Sequence, residues 1–246
     1  MTDKQLPKIL ITGGDTRVSI DTIHYISSIN LETFGADIAA EALPLGNVIF
    51  LRAKHSKITP FSMIMNHSYN PEISSVLSRE WLKRLDLYEQ YRHRYTEHEF
   101  VDYKDYAERL EKLVRSEKPD VVILAAAASD YLVENFYSDT QGNMGIILKF
   151  ADDLGSKVKE WWPGTFLVTF ELLVDESFND FIGRTMNAVA KNECDLVVAN
   201  DLSSIKAGEH KIYIINRIGY ITRNKDQAKE VITAIKDKMG HTDVLN

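Results

Sequence analysis

A single cysteine, Cys194, stands in the 246 residues, and one thiol can form neither an intrachain disulfide nor a cysteine-based zinc cluster. Long apolar runs are missing too. No stretch approaches the ~20 residues needed to span a bilayer, and the start Met-Thr-Asp-Lys-Gln-Leu-Pro lacks the apolar centre of a secretory signal. The expectation is a cytoplasmic protein with no membrane partner. There is no surplus of positive charge: 29 Lys and Arg stand against 36 Asp and Glu, a net charge of -7, with the bases interleaved among the acids. Counterion release from nucleic acid takes clustered Lys and Arg, so the composition argues against a nucleic-acid partner. No Pro/Gly linker, internal repeat or low-complexity tract divides the chain, and one domain covering residues 1–246 is the simplest account.

What the chain does have is an ordinary apolar fraction, 44%, enough for a sizeable core. Apolar runs of strand length recur at 8–12, 47–52, 120–126, 145–149, 165–170, 195–199 and 211–216, with helical periodicity between many of them. That alternation predicts an α/β fold with a mostly parallel sheet flanked by helices. The clearest helix is 102–116, where Tyr103, Tyr106, Ala107, Leu110, Leu113 and Val114 follow the 3.6-residue repeat, Asp102 can cap the start and Pro119 follows the end. Stripes through Phe178, Phe181, Ile182, Met186 and Val189, and through Ala228, Val231, Ile232, Ile235 and Met239, read as core-facing. Two strands at 211–215 and 220–223, joined by Asn216-Arg217-Ile218-Gly219, read as a C-terminal antiparallel hairpin on the sheet edge. Between 53 and 97 the pattern weakens to a loop and then a helix.

Three strand ends carry small or polar residues. Ile9-Leu10-Ile11-Thr12 breaks into Gly13-Gly14-Asp15-Thr16, where paired glycines let backbone approach a phosphate or ribose that a Cβ would exclude. A dinucleotide G-x-G-x-x-G pattern would need glycines where Asp15 and Val18 stand, so that fingerprint is absent, and a plain tight turn is the alternative. Val121-Val122-Ile123-Leu124 runs into four alanines, Ala125 to Ala128, and then Ser129-Asp130-Tyr131. Small side chains there leave room for something flat, with exposed backbone groups and a carboxylate for ribose hydroxyls or Mg²⁺; the alternative is tight helix-on-sheet packing. Leu196-Val197-Val198-Ala199 ends in Asn200 and Asp201, which can meet a ligand or close an Asx turn. Arg17, Arg52, Lys54 and Lys57 are candidate phosphate cations, the last three in a loop after the second strand. His55 and His67 lack metal-ligand spacing and read as solvent-facing, and Cys194 reads as a semi-buried inert thiol.

Taken together, Thr12-Gly13-Gly14-Asp15-Thr16-Arg17 with Ile20-Asp21, then Ala127-Ala128-Ser129-Asp130-Tyr131, then Ala199-Asn200-Asp201-Leu202 resemble phosphopantothenoylcysteine synthetase in order and separation. The likeness is greatest to its free-standing bacterial form. Lys157-Val158-Lys159-Glu160-Trp161 and Phe170-Glu171-Leu172-Leu173-Val174-Asp175 are similar to segments flanking that form's penultimate central strand, so nearly the whole chain is covered. The resemblance implies a modified Rossmann-like domain, often a homodimer, acting as a nucleotide-dependent carboxylate–amine ligase of coenzyme A biosynthesis. CTP or ATP with Mg²⁺ would activate the carboxylate of 4′-phosphopantothenate, and cysteine would attack the acyl-nucleotide to form an amide. The binding residues it implies are Gly13, Gly14, Asp15, Ala126, Ala127, Asp130, Phe170, Asn200 and Asp201, with Ser28 and Asn30 for catalysis.

Two departures from the family pattern bear on that chemistry. The family's Asn-x-Ser-Ser-Gly-type segment reads here as Tyr25-Ile26-Ser27-Ser28-Ile29-Asn30-Leu31-Glu32-Thr33-Phe34-Gly35, which puts Ser28 at the Asn and Glu32 where an anion should sit. Asn30 takes the Asn's place only by a shift of register. From Asp130 to Leu148 there is no Lys or Arg, where the family loop carries a lysine, so a stabiliser worth roughly 3 kcal/mol in comparable sites is missing. Amide formation is therefore expected to run far below that of a motif-complete enzyme, or to use a carboxylate substrate that brings its own cation. A catalytically impaired relative that binds a nucleotide or serves as a partner subunit is the alternative. A nicotinamide- or flavin-dependent reductase is a third option, disfavoured by the incomplete glycine pattern and the lack of an acid ending Val48-Ile49-Phe50-Leu51-Arg52. The homodimer expectation also draws on Trp81, Leu85, Tyr88 and Tyr91, which can cover a sheet edge or a symmetric patch.

Overall fold

Ile9, Leu10 and Ile11 are buried in succession, as are Val121, Val122 and Ile123, and a run buried on both faces has to lie inside a sheet that is covered on both sides. A computed structural model describes residues 6–28, 33–62, 64, 75–138, 140–174, 176–191, 193–203, 212–216, 218–223 and 227–242. In chain order its elements are β1 (Lys8–Gly13), β2 (Arg17–Ser19), β3 (Tyr25–Ser27), α1 (Phe34–Ala42), β4 (Asn47–Ala53), α2 (Ser75–Tyr91), β5 (Tyr95–Phe100) and α3 (Tyr103–Glu117). There follow β6 (Val121–Leu124), β7 (Tyr131–Ser138), β8 (Met144–Phe150), α4 (Leu154–Trp161), β9 (Phe166–Leu173), α5 (Phe178–Lys191), β10 (Leu196–Asp201), β11 (Ile212–Asn216), β12 (Gly219–Arg223) and α6 (Gln227–Thr242).

Eight strands form one sheet in the order β12-β11-β10-β9-β6-β1-β4-β5. From β10 to β5 neighbours run parallel, and β11 and β12 close one edge antiparallel, as the α/β reading expects. The chain builds outward from β1 to β4 and β5, then crosses to β6 and continues to β9 and β10. Strand order therefore reverses between β1 and β6, which is where open sheets of this kind leave a crevice. One face buries Leu10, Val122, Leu167 and Val197 under Tyr106, Leu110 and Val114 of α3, Val158 of α4 and Phe181 of α5. The other buries Ile9, Ile11, Ile123, Val168 and Val198 under Ile38 and Ala39 of α1 and Val231 and Ile235 of α6. Each such aliphatic side chain contributes about 1.5–3 kcal/mol when removed from water.

Local signals are realised where the decisive contacts are local. The Asp102 side chain accepts from the Asp105 N–H at 2.9 Å, and Lys118 ends α3 in the left-handed region at φ 48. Asn216 Oδ1 accepts from the N–H groups of Ile218 and Gly219, at 2.7 and 3.2 Å, which closes the β11–β12 turn. Cys194 is buried, burial pushes its thiol up, and the Thr169 hydroxyl donates to its sulfur at 3.6 Å. Among the described residues no helix is long and apolar enough to cross a membrane.

Two expectations are corrected. The apolar run at 145–149 does not join the main sheet: it lies in β8, which pairs antiparallel with β7 in a separate ribbon and leaves Phe150 80% exposed. The stretch 53–97 holds the expected helix, α2, but ends in an unexpected sheet strand, β5, whose sequence Tyr-Thr-Glu-His-Glu-Phe has no apolar run because it is the edge of the sheet. The aromatic segment of α2 packs inward. Leu87, Tyr88 and Tyr91 lie on the core, and the Phe61 ring stands edge-on to both Tyr88 and Tyr95 at 5.2 Å, so this segment covers the β5 edge of the sheet, the first of the two roles read for it.

Candidate functional site

The loops leaving β1 and β6 meet at the reversal of strand order and are stitched together by hydrogen bonds. Ala127 N–H donates to the Gly14 carbonyl at 2.8 Å, and Thr16 N–H returns to the Ala127 carbonyl at 3.1 Å. Ala126 N–H donates to Thr12 Oγ1 at 3.0 Å, Ser129 N–H to Thr16 Oγ1 at 2.8 Å, and Ala128 N–H to the Ala126 carbonyl at 2.9 Å. Thr12 and Thr16 are fully buried, and a buried hydroxyl needs partners; these loop amides are those partners, with the Tyr106 hydroxyl donating to Thr12 Oγ1 at 3.3 Å. The expectation of exposed backbone donors in the alanine segment is thereby corrected. What Ala126 and Ala127 offer a ligand is small side chains. Asp130, next along, is exposed, and its carboxylate makes no hydrogen bond or ion pair among the described residues.

The glycines also answer to packing. Gly14 sits at φ +84, and a Cβ on it would lie 2.6 Å from Ala53 Cβ; a Cβ on Gly13 would lie 2.7 Å from the Phe50 ring. Both absences of side chain are thus used against β4. Asp15 is buried beside them, accepting from Ser27 Oγ and lying 2.9 Å from His55 Nε2. Burial pushes the Asp15 carboxyl up, but the hydrogen bonds from Ser27 and His55 and the charge of His55 outweigh it and hold the carboxyl below its ordinary range. His55 is therefore a partner of the glycine turn and not a solvent-facing side chain, while His67 lies outside the described residues. Arg52 stands in β4 and not in the loop after it. Its guanidinium is held by Glu97 and Glu99 at 2.8 and 2.5 Å and by the Ser56 carbonyl at 2.7 Å. The Asp21 carboxylate closes the β2–β3 turn on His24 Nδ1 at 2.7 Å and on the Ile23 and His24 N–H groups, which hold it down to about 2. Ser28 follows β3 and is exposed. Asn30, with Leu31 and Glu32, lies outside the described residues.

On the α1 face of the sheet the ends of β9 and β10 add an aromatic ring and an amide. Val198 and Phe170 are paired across β10 and β9, and alternation puts Asn200 on the same face as Val198. The Phe170 ring stands edge-on to Phe34, the first residue of α1, at 5.4 Å. Asn200 is half-buried, and its side-chain amide has no hydrogen bond among the described residues. The first turn of α1 abuts the end of β1, since a Cβ on Gly35 would come 2.9 Å from the Thr12 carbonyl oxygen and 3.0 Å from Gly13 Cα. The positive end of that helix therefore faces the same space as Gly13, Phe170 and Asn200. Sequence reasoning misses Phe34 and Gly35 as site elements, although a glycine at a helix start is an available signal. Asp201 is separated from this group. It turns to the α5 face, accepts from Ser203 N–H and Oγ at 2.8 and 2.6 Å, and lines a cleft of about 350 Å³ with Leu173, Phe178 and Tyr213. No cluster of three His, Cys, Asp or Glu able to hold a metal occurs among the described residues.

Residues 97–240 match the protein family described as DNA/pantothenate metabolism flavoprotein C-terminal domain. The chain belongs to this family. It is 28% identical over 214 residues to the coenzyme A biosynthesis bifunctional protein CoaBC of Thermococcus kodakarensis, covering 85% of this chain and 45% of that protein. It is 32% identical over 120 residues to the phosphopantothenate–cysteine ligase of Mus musculus, covering 44% of this chain and 38% of the mouse protein. The matched part is thus less than half the length of either curated relative. Among solved structures, a Cab2 mutant in complex with phosphopantothenate-cysteine superposes with a TM-score of 0.77 at 22% identity, covering 96% of this chain and 89% of that one, a likeness of fold.

Proposed function

We propose that this protein is a nucleotide-dependent carboxylate–amine ligase that joins 4′-phosphopantothenate, or a close analogue, to cysteine in coenzyme A biosynthesis. The observation that carries this reading is the meeting of two groups where strand order reverses: Gly13, Gly35, Phe170 and Asn200 on one side, Ala126, Ala127 and the uncommitted Asp130 on the other. A carboxylate is a poor electrophile, and a nucleotidyl leaving group makes its displacement by an amine accessible. CTP or ATP is consumed as co-substrate, with Mg²⁺ neutralising phosphate charge. The chain's own groups suit this chemistry. The Phe170 ring can stack on base or ribose, the Asn200 amide can meet a ribose hydroxyl, and the N-terminus of α1 can face phosphate oxygens. Asp130 is the carboxylate available to Mg²⁺ or to a ribose hydroxyl. Ser28 and Asn30 are assigned to the acyl oxygen, and Asp15 to holding the glycine turn.

The activity is expected to be slow, because no Lys or Arg lies between Asp130 and Leu148 to stabilise the departing pyrophosphate. Pyrophosphate release tests this. It should require 4′-phosphopantothenate, Mg²⁺ and CTP or ATP, amide should form only with cysteine, and Asn30→Ala should slow it further. Fast release that persists in Asn30→Ala contradicts the reading of the departures, and nucleotide binding without release favours a catalytically impaired family member. A homodimer belongs to the same proposal, and a monomeric mass in light scattering at micromolar concentration contradicts it.

A further inference from the structure

The stitching of the β1 and β6 loops removes the N–H groups of Ala126 to Ser129 from use by a ligand, so an anion in this half of the crevice has to be met by a side chain. Of the cations flagged in the sequence, Arg52 is neutralised by Glu97 and Glu99, and Lys54 and Lys57 are exposed. Arg17 differs from all three. It opens β2 directly after Thr16, the residue bonded to Ala127 and Ser129, and β2 packs along β7, which leads away from Asp130. Its guanidinium lies 4.2 Å from the centroid of the Tyr25 ring across the β2–β3 ribbon. Its Nε is buried without a hydrogen-bond partner, and no carboxylate pairs with it among the described residues. A buried donor with no acceptor is costly, and a guanidinium stacked on an aromatic ring keeps its planar fork oriented toward an oxyanion. Arg94 shows that position decides: it too has a buried, unpartnered Nε and a tyrosine beneath it, but it precedes the edge strand β5 and so stands at the amino end of the strands, away from the crevice at their carboxyl ends.

We propose that Arg17, oriented by Tyr25, binds the phosphate monoester of the acid substrate and not the nucleotide triphosphate. The inference rests on the ligase reading above. It follows from the layout of the crevice, in which Phe170, Asn200 and the start of α1 serve the nucleotide, while the β2–β3 ribbon carries Arg17 away from them and along β7.

The test is isothermal titration of the full chain with 4′-phosphopantothenate, with pantothenate, and with CTP and ATP plus Mg²⁺. Wild type should prefer the phosphorylated acid. Arg17→Gln should weaken that ligand by about 10–100-fold, to the level of pantothenate, and leave nucleotide affinity unchanged within about twofold. In turnover the KM for the acid should rise with little change in kcat, and Arg17→Lys should recover part of the loss. Tyr25→Leu, which keeps the charge and loses the ring, should fall between, and melting curves identify any variant that fails to fold. An Arg17→Gln protein that still prefers the phosphorylated acid overturns the inference, as does one that loses nucleotide affinity instead. Wild type that binds both ligands while Arg17→Gln is silent overturns this inference alone. Wild type that binds neither overturns it together with the ligase reading.

Discussion

The two halves of the strand-end crevice are built on opposite terms. At β1 and β6 nearly everything polar is committed: Thr12 and Thr16 are fully buried acceptors, Asp15 is paired with both Ser27 and His55, and the alanine-loop amides donate within the protein. At β9 and β10 the Asn200 amide is uncommitted and half-buried, and Phe170 touches Phe34 through an edge-on ring contact. The difference teaches that the polar groups of one half hold each other in place, while Asn200 in the other is left open. Substitutions should therefore separate, with stability lost at the groups committed within the protein and affinity lost at those left uncommitted.

The largest effect is expected for Gly14→Val, because a Cβ there would meet Ala53 at 2.6 Å and the backbone sits at φ +84. A loss of about 3 kcal/mol or more in urea unfolding is the expected outcome. A variant that melts like wild type would remove the packing account of the glycine turn. Next comes Thr12→Val, which strands the half-buried Ala126 N–H and the buried Tyr106 hydroxyl and should cost about 1–3 kcal/mol. Its affinity for nucleotide, relative to the folded fraction, should hardly change.

Asp15→Asn has a pH signature. The folded carboxyl lies below its ordinary value of 3.8, so the ion contributes stability that is fully present above that value and is lost as pH falls through the lower folded one. The variant should be less stable than wild type near neutrality, and the gap should close as acid is added below about pH 4. A gap that widens in acid contradicts the Ser27 and His55 pairing.

These contrasts also mark what was legible in the sequence. Gly13, the four alanines, the cap at Asp102 and the turn at Asn216 are local features, and each appears where it was expected. The internal use of the Ala126 and Ser129 amides was not legible, because Thr12 and Thr16 reach them from 114 and 113 positions away, nor was His55 meeting Asp15 across 40 positions. Reading failed where burial and polarity part company, for the elements β5 and α1 and for the sheet to which the strand β8 belongs. The edge strand β5 is polar because one of its sides has no neighbour, α1 is buried almost all round and shows little contrast between faces, and β8 is apolar yet exposed.

The smallest structural effect and the sharpest functional one should coincide at Asn200 and Phe170. The decisive measurement is titration of CTP and of ATP, with Mg²⁺, into wild type, Asn200→Ala and Phe170→Ala. The account predicts that at least one nucleotide binds wild type and that each variant weakens it about 10-fold or more, with Asn200→Ala melting within about 0.5 kcal/mol of wild type. Nucleotide binding that neither substitution disturbs, or no binding of either nucleotide to wild type, would contradict it.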